Sequence, residues 1–277
     1  MLIHELDEHQ SKEAPQTYGK MKIDPLKKPI YIAHRGYKNR FPENTLAAFQ
    51  GAVDAGAEMI ELDVTLSKDR RLVVIHDNTV DRTTDGSGAV KALTLKELTR
   101  LDAGSWFDPK FENERLPTLA QVLETVQGRL MVNIEIKPEA FEPNGLPDSV
   151  ERQVMAVILE YEMVEKVLVS SFHWPILDNF RSLSPTVALG LLSESPANED
   201  LLAWCKRINC FSWHPDFRIL TRRQVNTLHE LGVHVFPYTV DGKMDTRIMI
   251  DMGVDGLIVD DPGQMTVNVN DSEKGDK

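Results

Sequence analysis

The sequence predicts a TIM (β/α)8 barrel with a small insertion after the second strand. Three observations predict it. Eight short apolar or β-branched runs alternate with helical stretches, polar residues crowd the C-terminal ends of those runs, and no repeat or Pro/Gly-rich linker divides the chain. An open doubly wound sheet is the alternative reading of the same alternation.

Taken in order, the strand candidates are residues 30–33 (IYIA), 59–65 (MIELDVT), 131–136 (MVNIEI), 167–171 (VLVSS), 187–191 (VALGL), 210–213 (CFSW), 233–238 (VHVFPY) and 256–259 (GLIV). Helices are expected at 44–55, 119–126, 149–161, 175–183, 199–207, 221–231 and 244–252. The rhythm breaks once. After a further short strand at 72–75, residues 77–117 intervene before the next barrel helix, and this is the insertion. Within it, 94–101 reads as a short helix, with Thr94 as N-cap and Glu97 at the capping-box position. Trp106 and Phe107, beside Gly104, are expected to pack that helix down.

The domain reading follows: a polar extension at 1–28, one barrel at 29–265 and a polar tail at 266–277. With 277 residues, 42% of them hydrophobic and 27% charged, the chain can build one large core. Cys205 and Cys210 are too few for a disulfide framework or a zinc site. The first twenty residues are acidic and lack an apolar h-region, so cytoplasmic residence is expected. The net charge of −12 argues against nucleic-acid partners and against stable association with anionic membranes. An anionic small molecule would then need a locally positive site.

Barrels of this type place reactive groups at the C-terminal ends of their strands. Glu61 and Asp63 are two apart on one strand and share a face, with Ile60, Leu62 and Val64 on the other; Glu135 and Lys137 repeat the arrangement on the neighbouring strand. Three inward carboxylates are costly to bury without a compensating cation. An all-oxygen cluster suits one hard divalent ion, magnesium or calcium; the alternative is an ion-pair network with Arg35 and Lys137. His34 and His76 end adjacent strands beside other charged residues, and two histidines across a phosphoryl group can supply general acid and base. His4, His9, His173, His229 and His234 read as surface or packing residues.

Certain motifs stand in a fixed order: AHRG at 33–36, PENT at 42–45, IELDVTLSKD at 60–69, IHDNTVDRTTDGSG at 75–88, LDAGSWF at 101–107, NIEIK at 133–137, SSF at 170–172, YTVD at 238–241 and GVDGLIVDDP at 253–262. Together they resemble the glycerophosphodiester phosphodiesterase family, particularly its bacterial cytoplasmic members. The resemblance implies a TIM barrel that hydrolyses small-molecule glycerophosphodiesters to sn-glycerol 3-phosphate and an alcohol. It implies metal ligation by Glu61, Asp63 and Glu135, acid/base catalysis by His34 and His76, and phosphate binding by Arg35 and Lys137. Glu43 and Asn44 would support those groups, and Phe172 and Tyr238 would contact substrate. The implied route runs through a cyclic 1,2-phosphate. Where many members read WTVN this chain reads Tyr238-Thr239-Val240-Asp241, which alters the aromatic face offered to the glycerol and adds a negative charge near the mouth. A lysophospholipase D acting on lipid-like diesters and a catalytically silent metabolite-binding barrel are the rival readings.

Overall fold

The computed structural model describes residues 21–24, 29–143 and 145–263. Eight parallel strands form the barrel: β1 (Ile30–Ala33), β2 (Met59–Leu66), β4 (Met131–Ile136), β5 (Val167–Ser171), β6 (Ala188–Ser193), β7 (Ser212–Pro215), β8 (His234–Val235) and β9 (Gly256–Val259). Neighbours run β8-β7-β6-β5-β4-β2-β1-β9. Backbone hydrogen bonds from Asp255 N to Val235 O (3.1 Å) and from Ile258 N to Pro237 O (3.0 Å) join the two ends of that path. β3 (Leu72–Val74) folds back antiparallel on β2.

The helices α1 (Leu46–Asp54), α3 (Leu119–Val126), α4 (Val150–Glu160), α5 (Trp174–Leu183), α6 (Glu199–Arg207), α7 (Arg222–Glu230) and α8 (Lys243–Met252) connect the strands. The alternation expected of β2 and β4 holds. Ile60, Leu62, Val64, Val132, Ile134 and Ile136 pack with the helices, whereas Met59 joins Ile30, Ile32, Leu168, Phe236 and Ile258 in a separate inner cluster. Met21 and Ile23, from the segment that the sequence places outside the barrel, are buried in this inner cluster and form its floor. The rest of the polar extension, with His4 and His9, and the tail at 266–277 lie outside the described residues.

Three expectations are corrected. The first helix begins at Leu46 and not at residue 44, because Asn44 has φ of 57° and Thr45 is the cap, its side chain accepting from Ala48 N. The run 233–238 is a strand only over two residues, since Pro237 has no N–H to donate. The short helix α2 (Leu95–Leu98) has the expected Thr94/Glu97 capping box, yet Trp106 and Phe107 do not hold it down. The insertion instead carries an aliphatic core of Val73, Ile75, Val80, Val90, Leu98, Ala103 and Leu116. Trp106 is 40% exposed and donates its Nε1 to Ala103 O.

Candidate active site

The site is assembled at the C-terminal ends of β1, β2 and β4. Immediately after β1 the chain turns sharply, with Arg35 and Gly36 at φ of 54° and 81°. A Cβ on Gly36 would come within 2.7 Å of Ala48, so only glycine fits the turn. The left-handed backbone at Arg35 points its N–H inward, where it donates to Glu61 Oε2 at 2.9 Å. Asn44, also left-handed, donates its side-chain amide to Asp63 Oδ2 at 2.9 Å. Both PENT residues named by sequence therefore support the site: Asn44 orients a carboxylate, and Glu43 accepts from Arg35 Nη1 at 2.8 Å.

Glu61, Asp63 and Glu135 are all buried, and one oxygen of each lies within 4.8 Å of the others. Lys137 donates to Glu135 Oε1 at 2.8 Å and to Asp63 Oδ1 at 3.3 Å. Arg35 Nε, 3.6 Å from Asp63 Oδ2, is buried without a hydrogen-bond partner. The carboxylates respond unequally. Burial pushes Glu61 well above the usual carboxyl range, and the charges of Asp63 and Glu135 push the same way. Burial and Asp63 raise Glu135 to about 7. At Asp63 burial also opposes ionisation, but Lys137 and Arg35 outweigh it and hold the group at about 2. The ion-pair network is therefore real and incomplete: among the described residues no side-chain cation forms an ion pair with Glu61. An all-oxygen cluster that retains protons for want of positive charge fits a hard divalent ion.

Each histidine is held through Nδ1 by a carboxylate. His34 Nδ1 is 2.6 Å from Asp260 Oδ1, and His76 Nδ1 is 2.7 Å from Asp77 Oδ1. Both aspartates are kept ionised. Burial works against this at Asp260, and its hydrogen bond to His34 and the nearby Lys38 overcome it; at Asp77 the Arg82 guanidinium does so, holding the carboxyl far below the usual range. An ionised carboxylate only accepts, so Nδ1 carries the hydrogen and Nε2 is left to exchange protons. Burial keeps both rings below the ordinary histidine value.

A cavity of about 250 Å³ connects these groups. His34, Arg35, Glu61, His76, Glu135, Phe172 and Tyr238 line it, and Phe172 and Tyr238 meet edge to face with ring centroids 5.9 Å apart. Asp63, Lys137, Glu43 and Asn44 stand directly behind the lining. The other described histidines do not line it: His214 is fully buried with Nε2 2.8 Å from Ser212 Oγ and is pushed by burial to about 3, and His173 packs against Phe141. His229 and His234 both contact Asp255.

Sequence reasoning missed three residues. Asp260 stands in the sequence as one of the polar residues that end the last strand, but its role as the partner of His34, 226 residues away, is not visible there. Lys38 braces Asp260 at 3.0 Å. Arg82, within HDNTVDRTTDGSG, binds both Asp77 and Glu43. Asp241 accepts through Oδ1 from Asp260 N at 2.8 Å, a bond that an asparagine Oδ1 could also make, and it is not among the residues that line the cavity.

Comparison with known proteins agrees with this geometry. The model of the glycerophosphoryl diester phosphodiesterase family matches residues 34–264. A glycerophosphodiester phosphodiesterase of Caldanaerobacter subterraneus subsp. tengcongensis is 44% identical over 238 residues, 85% of this chain and 95% of its own. One from Bacillus altitudinis is 37% identical over 235 residues, 83% and 94% of the two chains. Among solved structures, an Oleispira antarctica phosphodiesterase in complex with the product sn-glycerol-3-phosphate superposes with a TM-score of 0.77 at 28% identity, covering 87% of this chain and 97% of its own.

Proposed function

This chain belongs to the glycerophosphoryl diester phosphodiesterase family, and from that premise we propose that it cleaves glycerophosphodiesters to sn-glycerol 3-phosphate and an alcohol by two-histidine acid/base catalysis beside one divalent cation. The observation that carries the mechanism is the pair of histidines with carboxylate-held Nδ1 atoms, both lining the cavity that contains Glu61 and Glu135. The product bound to the Oleispira antarctica relative supports the same substrate class.

Magnesium or calcium, held by Glu61, Asp63 and Glu135, would supply Lewis-acid neutralisation of phosphoryl oxygen charge. Arg35 and Lys137 hold the phosphate, adding donors where negative charge develops. One histidine takes the proton of the glycerol 2-hydroxyl as its oxygen bonds to phosphorus. The other gives its proton to the departing alcohol as the P–O bond breaks, leaving a cyclic 1,2-phosphate. Water then opens the ring with the two roles exchanged, restoring both histidines. Because both rings rest below the ordinary histidine value, the acid gains its proton with the anionic substrate in place. The rings of Phe172 and Tyr238 cover the apolar side of the glycerol.

No helix among the described residues is long and apolar enough to cross a membrane. With the acidic overall charge, this favours water-borne diesters in the cytoplasm over lipid-like ones. The test compares glycerophosphocholine with lysophosphatidylcholine, each with and without chelator, and adds a 2-deoxyglycerol diester. The expected result is chelator-sensitive turnover of glycerophosphocholine, little of the lysolipid and none of the deoxy compound. Preference for the lysolipid would identify a lysophospholipase D. Turnover of the deoxy substrate at the parent rate would show direct attack by water.

A further inference from the structure

We infer that Arg82 is a positioning residue that couples the arm carrying His76 to the arm carrying Arg35. The inference rests on His76 acting as acid or base. Arg82 comes from the insertion, outside the barrel strands, five residues after Asp77. Its guanidinium donates from Nε to Asp77 Oδ2 at 2.6 Å and from Nη2 to Asp77 Oδ1 at 3.0 Å. It also donates from Nη1 to Glu43 Oε2 at 2.9 Å and from Nη2 to Glu43 Oε1 at 2.8 Å. Asp77 in turn holds His76, and Glu43 holds Arg35. A continuous path of charged hydrogen bonds thus runs from His76 through Asp77, Arg82 and Glu43 to Arg35.

A planar guanidinium can grip each of two carboxylates with a pair of hydrogen bonds, as Arg82 does; an ammonium, like that of Lys137, can reach two carboxylates but offers each a single bond without the fork geometry. The clamp has two consequences. Asp77 cannot rotate away from His76, so the ring keeps its tautomer and orientation. Glu43 is shared between two guanidiniums, so it does not draw Arg35 back from the phosphate.

The molecule supplies its own control. Arg70, on the surface, grips Glu142 and Asp148 with the same two-carboxylate geometry, at 2.5–3.0 Å, but neither carboxylate touches a residue that lines the cavity. If bracing of the surface were all that mattered, Arg70 and Arg82 would be equivalent.

The experiment compares Arg82→Gln, Arg82→Lys, Asp77→Asn, the double variant Arg82→Gln/Asp77→Asn and Arg70→Gln, all with magnesium present. Turnover of glycerophosphocholine is measured together with the titration of the His76 ring by NMR. Arg82→Gln should lower kcat by about 10- to 100-fold, the usual scale for loss of an outer partner of a site residue, with a smaller change in KM. Arg82→Lys should recover only part of this. The double variant should be no worse than the poorer single one, because both cut the same path. The His76 titration should move upward in Arg82→Gln, since Asp77 is no longer shared with a guanidinium while Asp63, Arg35 and Lys137 still face the ring. Arg70→Gln should leave every readout unchanged. Wild-type kcat in Arg82→Gln, full rescue by lysine, multiplicative losses in the double variant or an unmoved His76 titration would each overturn the inference. The titration needs no turnover, so it tests the coupling even if the proposed substrate is wrong.

Discussion

Loading a divalent cation into the metal-free protein should expel protons, and their number follows from the three carboxylates. Glu135, raised to about 7, is half protonated at pH 7 and yields roughly half a proton. Glu61, held well above the usual range by burial and by two neighbouring charges, adds to that count. Asp63, at about 2, yields none. More than about half a proton should leave per ion at pH 7, and by pH 8 the share from Glu135 should fall to about a tenth. The affinity for magnesium or calcium should accordingly weaken on acidification, by about fivefold between pH 7 and pH 6 through Glu135 alone and by more with the share from Glu61. Calorimetric titration of the chelator-stripped protein in Pipes and in Tris, whose ionisation enthalpies differ widely, reads the count directly. Glu61→Gln should lower the count. Equal binding enthalpies in the two buffers at pH 7 would show that all three carboxylates are already ionised, fully compensated by Arg35 and Lys137, and would refute the claim that the network is one charge short.

Three further outcomes follow from the same geometry. His34→Ala and His76→Ala should each reduce kcat by roughly a hundredfold or more with little change in Tm. His214→Ala, which empties a fully buried position, should lower Tm more than either; near-normal turnover in His34→Ala would remove that residue from the mechanism. Glu43 is a test of acid stability. Although burial opposes its ionisation, hydrogen bonds from Arg82 and the Arg35 charge hold it at about 2, below its unfolded value of about 4.3. Its contribution, on the order of 3 kcal/mol, is present above the unfolded value and is lost as pH falls towards 2; denaturant melts of Glu43→Gln should show a smaller loss over that window, and an identical acid profile would exclude the linkage. Finally, Tyr238→Ala should raise KM for glycerophosphocholine more than Tyr238→Phe does, because the proposed contact is made by the ring face while the hydroxyl reaches Ser193 O. Steady-state kinetics showing the reverse order would assign the contact to the hydroxyl.

What the sequence revealed depended on how local the determining physics is. Glu61, Asp63 and Glu135 could be grouped because the two-residue period of a strand fixes which side chains share a face, and the register pairs Asp63 with Glu135 across β2 and β4. The Thr94 cap was legible because its partner Glu97 is three residues away. Asp260 was not legible as a partner of His34, because that contact exists only once β9 lies against β1. Nor was the role of Arg82, whose placement depends on how an irregular loop folds back over the barrel mouth. Trp106 failed for another reason. Aromatic residues usually fill cores, but aliphatic side chains already fill the one beneath the insertion.

The contact between His34 and Asp260 also sets a condition on time. β1 finds its second neighbour only in β9, so the ring cannot close until the chain has been made through that last strand. The candidate metal ligands are all in place by residue 135, and the phosphate-holding pair by 137. A growing or C-terminally truncated chain could therefore gather its charged groups while still lacking the partner that fixes the tautomer of His34. On the proposed mechanism competence is withheld until the seam is sewn, and activity becomes a direct report that the whole circuit of strands has formed.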